Sequence, residues 1–226
     1  MHKVIQTKDG SHSLYIEALD EHYHSVHGAI QESKHVFIEA GLYANTKGGM
    51  SILEIGLGTG LNALLTILAN QKLKQNINYT AVEAFPVSAE IAGLLNYPDL
   101  LVDAVNTKEN VQVLFQSIHS SEWDKKLTLS ETFIFYKIKN TLQAIEFSDT
   151  FDLVYFDAFG PTAQPDMWTE EIFLKLWNAM NTEGILVTYC AKGIVKRTLK
   201  KIGFVVETLQ GPPGKREMVR AVKHTK

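Results

Sequence analysis

Cysteine is nearly absent from this 226-residue chain, which contains only Cys190. A single cysteine excludes an intramolecular disulfide and a zinc site built from several thiolates. Long apolar runs are also missing, because stretches such as residues 184–189 fall far below the roughly 20 residues of a membrane-spanning helix. The first residues, MHKV, lack the apolar core of a signal peptide. These absences predict a cytoplasmic protein without a membrane segment.

The composition is that of an ordinary globular protein, with 45% hydrophobic and 21% charged residues. This balance excludes disordered and fibrous classes of protein. We find no internal repeat and no linker long enough to separate two full domains. The length therefore predicts one domain at residues 51–226, preceded by an N-terminal extension or cap at residues 1–50.

The charge is distributed unevenly along the chain. The net charge is −3, yet residues 192–226 contain ten lysines and arginines against only two acidic residues. This segment predicts a basic face on an otherwise acidic protein. A nucleic-acid partner is therefore compatible with the overall acidity.

Apolar strand patterns alternate with helical patterns along most of the chain. The alternation predicts a doubly wound α/β fold with about seven mostly parallel strands, in which a closing hairpin makes the last strand antiparallel. In the extension, short strands are expected at residues 6–7 and 13–16. The strands of the main domain are predicted at 51–55, 78–84, 133–138, 153–158, 184–190, 204–209 and 217–222, and the helices at 61–69, 87–95, 170–180 and 193–202.

A glycine-rich turn, EIGLGTGLN at residues 54–62, follows the first predicted strand of the main domain. Its glycines permit a tight turn and bring the free N–H groups of the next helix close to a ligand. A dehydrogenase that binds a dinucleotide contains nearly the same turn. However, Glu54 would repel a pyrophosphate and suit an ammonium group, which favours S-adenosylmethionine over a nicotinamide cofactor.

Two side chains at the ends of neighbouring strands extend this predicted nucleoside site. Glu83 ends the second strand, where its carboxylate can accept hydrogen bonds from ribose hydroxyls; a solvated charge is the alternative. Asn140 follows the third strand, where its amide can pair with adenine. An N-cap for a short helix at residues 142–145 is an equally good interpretation of Asn140, and the two roles are compatible.

The fourth strand leads into Asp157 at the predicted active-site edge of the sheet. A carboxylate there can hold or deprotonate an amine that attacks a methyl donor, although Asp157 could also simply cap a loop. Phe159 and Pro161 would shape a pocket for a flat base. Trp168 could stack on a base if it is exposed, whereas a buried position at the start of the next helix is the alternative. Thr169 is the predicted N-cap of that helix.

A cluster of histidines near the N-terminus does not predict a metal site. His22, His24 and His27 match neither a helical pair of ligands nor a known zinc spacing. A serine nucleophile is also not expected, because the chain contains no Gly-x-Ser-x-Gly motif.

Four separated motifs, taken in order along the chain, resemble one known family. They are HGAIQESKHVFI at residues 27–38, EIGLGTGLN at 54–62, DAF at 157–159 with PDMWT at 165–169, and GPPGKREM at 211–218. These motifs resemble the methyltransferase domain of the bacterial tRNA 5-methylaminomethyl-2-thiouridine biosynthesis enzymes, the MnmC-like family. The resemblance implies a Rossmann-like class I methyltransferase fold. It also implies methylation of the aminomethyl group on the wobble uridine of tRNA with S-adenosylmethionine.

In larger relatives of this family a flavin-dependent oxidase domain generates the amine, whereas this chain stops at Lys226. It therefore resembles a stand-alone transferase, for which no FAD and no metal are expected. A separate oxidase would be a possible partner besides tRNA. The residues expected to bind the cofactor or the amine are Glu32, Glu54, Gly56, Gly58, Thr59, Gly60, Asn62, Glu83 and Asn140, with Asp157 as the catalytic residue. Relatives tend to have Asp where this chain has Asn140, and an acidic residue in place of Gln31.

Docking of RNA would use the basic C-terminal segment. Phosphate neutralisation supplies affinity that falls with salt. The wet face of an amphipathic helix is an alternative role for Lys196, Lys200 and Lys201. The residues expected to contact RNA are Lys192, Lys196, Arg197, Lys215 and Arg216, together with Phe159, Pro161 and Trp168 near the substrate base.

Three other functions compete with this interpretation. The first is a small-molecule or protein N-methyltransferase on the same fold, which the acidic remainder of the surface would suit. The second is a non-catalytic module that senses S-adenosylmethionine, which Asp157 disfavours. The third is a dehydrogenase, which Glu54 disfavours.

Overall fold

The computed structural model describes residues 2–45 and 48–224, so Lys226 of the basic segment lies outside the described residues. The N-terminal extension forms a small antiparallel sheet followed by helical turns. The strand predicted at 13–16 is confirmed, whereas the one predicted at 6–7 lies earlier in the chain. The elements are β1 (His2–Gln6), β2 (His12–Ile16), β3 (Glu21–His22), α1 (Ala29–Ser33), a π-helical turn (Lys34–Glu39) and a 3-10 turn (Leu42–Ala44).

The main domain contains an eight-stranded sheet in the order β10-β11-β9-β8-β4-β5-β7-β6. Neighbouring strands from β9 through β7 in this order are parallel, whereas β11 is antiparallel to both β9 and β10. The strands are β4 (Gly49–Ile55), β5 (Asn76–Glu83), β6 (Lys126–Ser130), β7 (Phe133–Lys139), β8 (Phe151–Phe156), β9 (Met180–Thr188), β10 (Val205–Gln210) and β11 (Glu217–Val222).

The doubly wound α/β prediction with an antiparallel last strand is confirmed, but the sheet has one strand more than expected. The additional strand, β6, pairs with β7 in antiparallel orientation at the edge of the sheet. None of its side chains is fully buried, so it lacks the apolar pattern by which an inner strand is predicted. Its pairing with β7 in the structure is therefore what identifies β6 as a strand.

The helices confirm most of the predicted pattern. The predicted helix at 87–95 has only one turn, because Ser88 caps it and Gly93 ends it, and residues 142–145 form a turn rather than a helix. Thr169 accepts a hydrogen bond from the backbone N–H of Ile172, as expected of an N-cap. The helices of the main domain are α2 (Leu61–Leu73), α3 (Ala89–Ala92), α4 (Tyr97–Leu100), α5 (Lys108–Ser120), α6 (Glu170–Ala179) and α7 (Gly193–Ile202).

Each face of the sheet has its own apolar core, because successive side chains of a strand point to opposite faces. On β4, Ile52 joins the core beneath α2 and α5, whereas Leu53 joins the core beneath α6 and α7. Leu14 and Phe37 of the extension are buried in the first of these cores. The extension therefore packs on the same face of the sheet as α2 and α5.

The parallel order reverses at β4, with β5 on one side and β8 on the other. A crevice forms at such a switch point, at the carboxyl ends of the strands, and is where ligands bind in open α/β sheets. Within residues 2–45 and 48–224, no helix has both the length and the apolar composition needed to cross a membrane.

Candidate active site

The glycine-rich turn begins directly after β4 and is tied to both neighbouring strands. The backbone N–H of Gly56 donates to the carbonyl of Val82 on β5 (3.0 Å), and the N–H of Asp157 donates to the carbonyl of Ile55 (3.0 Å). Gly56 has a φ of +90°, and a Cβ there would lie 2.9 Å from the carbonyl oxygen of Asp157. Only glycine meets both requirements.

A cavity of about 670 Å³ opens at this turn. A volume of this size is typical of small-molecule and cofactor sites. Its walls come from the loops after β4, β5, β7 and β8 and from the N-terminal extension. The predicted site residues that line it are Gly56, Gly58, Thr59, Glu83, Asn140, Asp157 and Phe159.

Glu83 links two of these loops. One carboxylate oxygen, Oε2, accepts a hydrogen bond from the backbone N–H of Gly58 (2.9 Å), and Oε1 accepts from that of Phe85 (2.8 Å). The half-buried carboxylate is therefore held at the cavity wall by two backbone N–H groups. Phe85 also lines the cavity and is 75% exposed.

Asp157 follows β8 and faces both the cavity and the start of α2. The side-chain amide of Asn62 donates to Oδ2 of Asp157 (2.9 Å). Burial, reinforced by the nearby negative charge of Glu32, raises the pKa of Asp157 to about 7. A carboxylate with this pKa accepts a proton near neutral pH far more readily than an exposed aspartate.

Three residues of the predicted glycine-turn set, Glu54, Gly60 and Asn62, do not line the cavity. Glu54 is fully buried behind the turn, and burial raises the pKa of its carboxyl well above its usual range. Asn62 is also buried and reaches the cavity only through Asp157. A direct contact between Glu54 and a ligand in the cavity is therefore not available in this structure.

Glu32 lies outside the cavity lining and pairs with a lysine from the far end of the chain. Its Oε1 is 2.5 Å from Nζ of Lys215, and its Oε2 accepts from the backbone N–H of Ser25 (2.8 Å). The ammonium of Lys215 also lies 3.8 Å from the centre of the Tyr189 ring. Glu32 thus acts on Asp157 through its charge rather than as part of the cavity wall.

The roles expected for two residues near the cavity need correction. Asn140 lines the cavity and is exposed, but Thr141 rather than Asn140 caps the following turn, because Oγ1 of Thr141 accepts from the N–H of Ala144 (3.3 Å). Trp168 is only 6% exposed and cannot stack on a base. Its indole N–H instead donates to the carbonyl of Phe159 (2.7 Å) and supports the cavity wall.

Pro161 does not line the cavity, although its neighbours on the same loop do. Residues 163–167 supply that part of the wall, and Pro165, Asp166 and Met167 among them belong to the PDMWT motif. The loop after β8 therefore reaches the cavity on both sides of Pro161.

The N-terminal extension supplies a wall that the sequence did not predict. Its residues at the cavity are His2, Ile16, Leu19, Tyr23 and His24. The Tyr23 ring packs edge-on against Phe159, with 5.1 Å between ring centres. It also packs over Gly58, where a Cβ would lie 3.0 Å from a ring carbon. The extension is thus part of the site rather than a separate cap.

Two histidines, the buried His24 and the half-buried His119, contact Thr59 of the glycine turn. The imidazole Nε2 of His24 lies 2.7 Å from Oγ1 of Thr59, and that of His119 lies 3.1 Å from its carbonyl oxygen. Burial lowers the pKa of both imidazoles to about 4, so both are neutral near pH 7. In the sequence, the histidine cluster that contains His24 was the signal for the part of the cavity wall that the N-terminal extension forms. No group of three or more potential metal ligands occurs among the described residues.

The basic residues expected to contact RNA fall into two groups. Lys196 and Lys215 form ion pairs with Glu217 (2.9 Å) and Glu32. Lys192 is exposed and donates to the hydroxyl of Thr162 (2.8 Å), and Arg197 and Arg216 are exposed. None of these five side chains lines the cavity.

Residues 104–224 match the model of a family of S-adenosyl-L-methionine-dependent methyltransferases, and the chain belongs to this family. The glycine turn, the fixed carboxylate of Glu83 and the size of the cavity fit the nucleoside and amino-acid parts of that cofactor.

Several relatives share one particular name. The tRNA 5-methylaminomethyl-2-thiouridine biosynthesis bifunctional protein MnmC of Magnetococcus marinus is 31% identical over 214 residues, which cover 90% of this chain and 31% of that protein. Its counterpart in Legionella pneumophila is 30% identical over 232 residues, covering 92% and 34%. The chain thus spans about a third of these relatives. The crystal structure of MNMC2 from Aquifex aeolicus has the same fold, with a TM-score of 0.78, 22% identity and coverage of 100% of this chain and 73% of that one.

Proposed function

We propose that this protein methylates the amine of a 5-aminomethyl group on the wobble uridine of tRNA, forming 5-methylaminomethyl-(2-thio)uridine. The observation that carries the proposal is Asp157, a carboxylate with a pKa of about 7 on the wall of the cofactor cavity. The names of the relatives support the choice of substrate.

The bound donor supplies a methyl group on a sulfonium, which an amine can attack. The N–H groups of the glycine turn would hold its amino-acid part, and Glu83 would accept hydrogen bonds from the ribose. Asn140 and Phe85, which line the cavity, would contact the adenine. These residues would fix the position of the methyl group, which is the main requirement of this displacement.

Asp157 would take up the proton of the amine. An alkylamine is mostly protonated near pH 7, and only the neutral form has a lone pair for the attack. Asn62 occupies Oδ2 of Asp157, which leaves Oδ1 to accept the proton. The attack breaks the bond between sulfur and the methyl carbon, so a neutral thioether leaves and the positive charge moves to the nitrogen, which becomes a protonated secondary amine. Asp157 then releases to water the proton that it took up before the attack.

The reaction that we propose uses neither flavin nor metal, because methyl transfer to an amine involves no electron acceptor and no bound oxygen. Treatment with a chelator should therefore leave the rate unchanged. An oxidase acting on the same tRNA position would supply the amine and is the proposed partner enzyme. A cytoplasmic location belongs to the same proposal, because that is where tRNA is modified.

For tRNA docking we propose the exposed side chains of Lys192, Arg197 and Arg216, which form no ion pair with any residue of 2–45 and 48–224. Lys196 and Lys215 would contribute by positioning this surface through Glu217 and Glu32. Pro161, on the half-buried loop after β8, would contact the substrate beside Phe159.

The direct test is incubation with labelled S-adenosylmethionine and tRNA from cells that lack the modification, followed by mass analysis of the nucleosides. We expect one added methyl group on the 5-aminomethyl uridine. Label found only in small amines or in protein would favour the alternative, an N-methyltransferase acting on those substrates, and would contradict the tRNA assignment.

A further inference from the structure

Four buried polar atoms near the glycine turn have no hydrogen-bond partner within the part of the chain that the structure describes. They are both carboxylate oxygens of Glu54, Oδ1 of Asn62 and the hydroxyl of Tyr79. The three side chains are 0%, 3% and 1% exposed. Folded proteins rarely leave such groups unpaired, because each costs the free energy of its lost hydration. The hydrogen atoms of these side chains should therefore be arranged so that each of the four atoms has a donor or an acceptor as its partner.

The surroundings of Glu54 make a negative charge there unfavourable. Glu54 lies next to Tyr155 of β8 in the sheet, and the hydroxyl of Tyr155 is already 3.3 Å from that of Thr66. Burial is the larger effect and raises the pKa of Glu54, whereas donors on Tyr79 and Asn62 lower it. The charged groups that act on it within the described part of the chain, Asp157 and Glu83, are also carboxylates. A carboxylate desolvated among other carboxylates favours its neutral form.

The available donors and acceptors lead to the same result. Asn62 donates one N–H of its amide to Asp157, and its Oδ1 has no donor. An ionised Glu54 has only acceptors and cannot supply the donor that this Oδ1 lacks. With one proton on Glu54, the hydroxyl of Tyr79 donates to one carboxyl oxygen, and the other oxygen donates to Oδ1 of Asn62. This single proton gives all four atoms a partner.

We propose that Glu54 is held in its protonated, neutral form and acts as a positioning residue for Asp157. The hydrogen-bonded chain runs from Tyr79 through Glu54 and Asn62 to Oδ2 of Asp157. It orients the amide of Asn62 and leaves Asp157 as the only member of the chain that ionises and exchanges a proton with the substrate. The kinetic part of this inference rests on the proposed function, whereas the protonation state does not.

This assignment differs from the one expected from the sequence, in which an anionic Glu54 attracts the ammonium group of the donor. Burial raises the pKa of Glu54 well above its usual range, in agreement with a neutral side chain. Glu54 also lies outside the cavity wall.

Infrared spectroscopy of the full chain tests the protonation state without any turnover. At about pH 9, where Asp157 is ionised, we expect the carbonyl band of a protonated carboxyl in the wild type. The band should disappear in Glu54→Gln and remain in Glu83→Gln, the matched control. A wild-type spectrum without this band would overturn the proposal.

Calorimetry with S-adenosylmethionine distinguishes the two roles of Glu54. Glutamine can donate to Asn62 and accept from Tyr79, so Glu54→Gln should bind the donor within about twofold of the wild type. A loss of tenfold or more would mean that the charge of Glu54 holds the donor, and would contradict the neutral form.

Turnover then tests the positioning role. Glu54→Leu removes the chain and should lower kcat roughly tenfold while the donor Kd stays the same, and Glu54→Gln should restore most of the rate. Equal loss in both variants would exclude a positioning role. If the wild type methylates no tRNA, the proposed substrate is wrong, whereas the infrared and calorimetric results still decide the state of Glu54.

Discussion

The part of the cavity wall formed by Glu83 and Asp157, here called the floor, differs from the basic surface of residues 192–216 in how its charged groups are held. Glu83 and Asp157 on the floor are fixed by N–H donors at 2.9 Å or less. On the basic surface, Arg197 and Arg216 project into solvent. Fixed, desolvated groups act strongly and individually, whereas exposed charges in high dielectric act weakly and together. Single substitutions should therefore have large effects on the floor and small effects on the surface.

The largest effect is expected for Asp157→Asn. The amide keeps the shape of the side chain but cannot accept the proton of the amine, so kcat should fall by about 10²–10⁴. The donor Kd measured by calorimetry should change little. Asp166→Asn is the matched control, because Asp166 also lines the cavity but is exposed. A normal rate in Asp157→Asn would contradict both the role of Asp157 as the base and the larger effects expected on the floor than on the surface.

The next largest effect is expected for Gly58→Ala. Gly58 has a φ of +51°, and the new Cβ would lie 3.0 Å from the Tyr23 ring. The strain should displace the turn from Tyr23 and weaken donor binding by about tenfold or more. Gly160→Ala serves as the control, because its nearest neighbour would be 3.8 Å away. Unchanged calorimetric affinity in Gly58→Ala would show that the turn does not hold the donor.

The pH dependence gives a smaller but directional effect. The rate should fall as the pH is lowered through about 7, because Asp157 becomes protonated and cannot act as the base. Glu32→Gln removes a negative charge that raises this pKa, and it frees the ammonium of Lys215 from its partner. Both changes favour the ionised form of Asp157, so the acidic limb of the kcat profile should move to lower pH. A move to higher pH would contradict the electrostatic role of Glu32.

The smallest effects are expected on the basic surface. Arg197→Ala and Arg216→Ala should each raise the KM for tRNA only a few-fold and leave the donor Kd unchanged. Each lost phosphate contact should also reduce the slope of log K against log salt by about 1. Lys201→Ala is the control, because Lys201 already pairs with Glu170. If Arg197→Ala and Lys201→Ala behave alike, tRNA docks elsewhere.

The apolar periodicity predicted most of the alternation of strands and helices but missed α5 (Lys108–Ser120), and the glycine pattern predicted the place of the cavity. Both are local signals, because a buried strand and a positive φ each require particular residues. The edge strand β6 escaped prediction because none of its side chains is fully buried. The contribution of the extension escaped it because Tyr23 and His24 contact residues more than 30 positions away in the chain.

The sequence by itself determined which segments form the parallel strands, where the glycine turn lies, and that Glu83 and Asp157 stand at strand ends. These features depend on short-range patterns that any similar chain would express. Only the tertiary structure decided that Glu54 is enclosed rather than facing a ligand, that Trp168 is buried, and that Lys215 pairs with Glu32. Burial and the neighbours of a side chain depend on how distant segments pack, and these neighbours determine whether a carboxyl group is a charge, a base or a neutral hydrogen-bond donor.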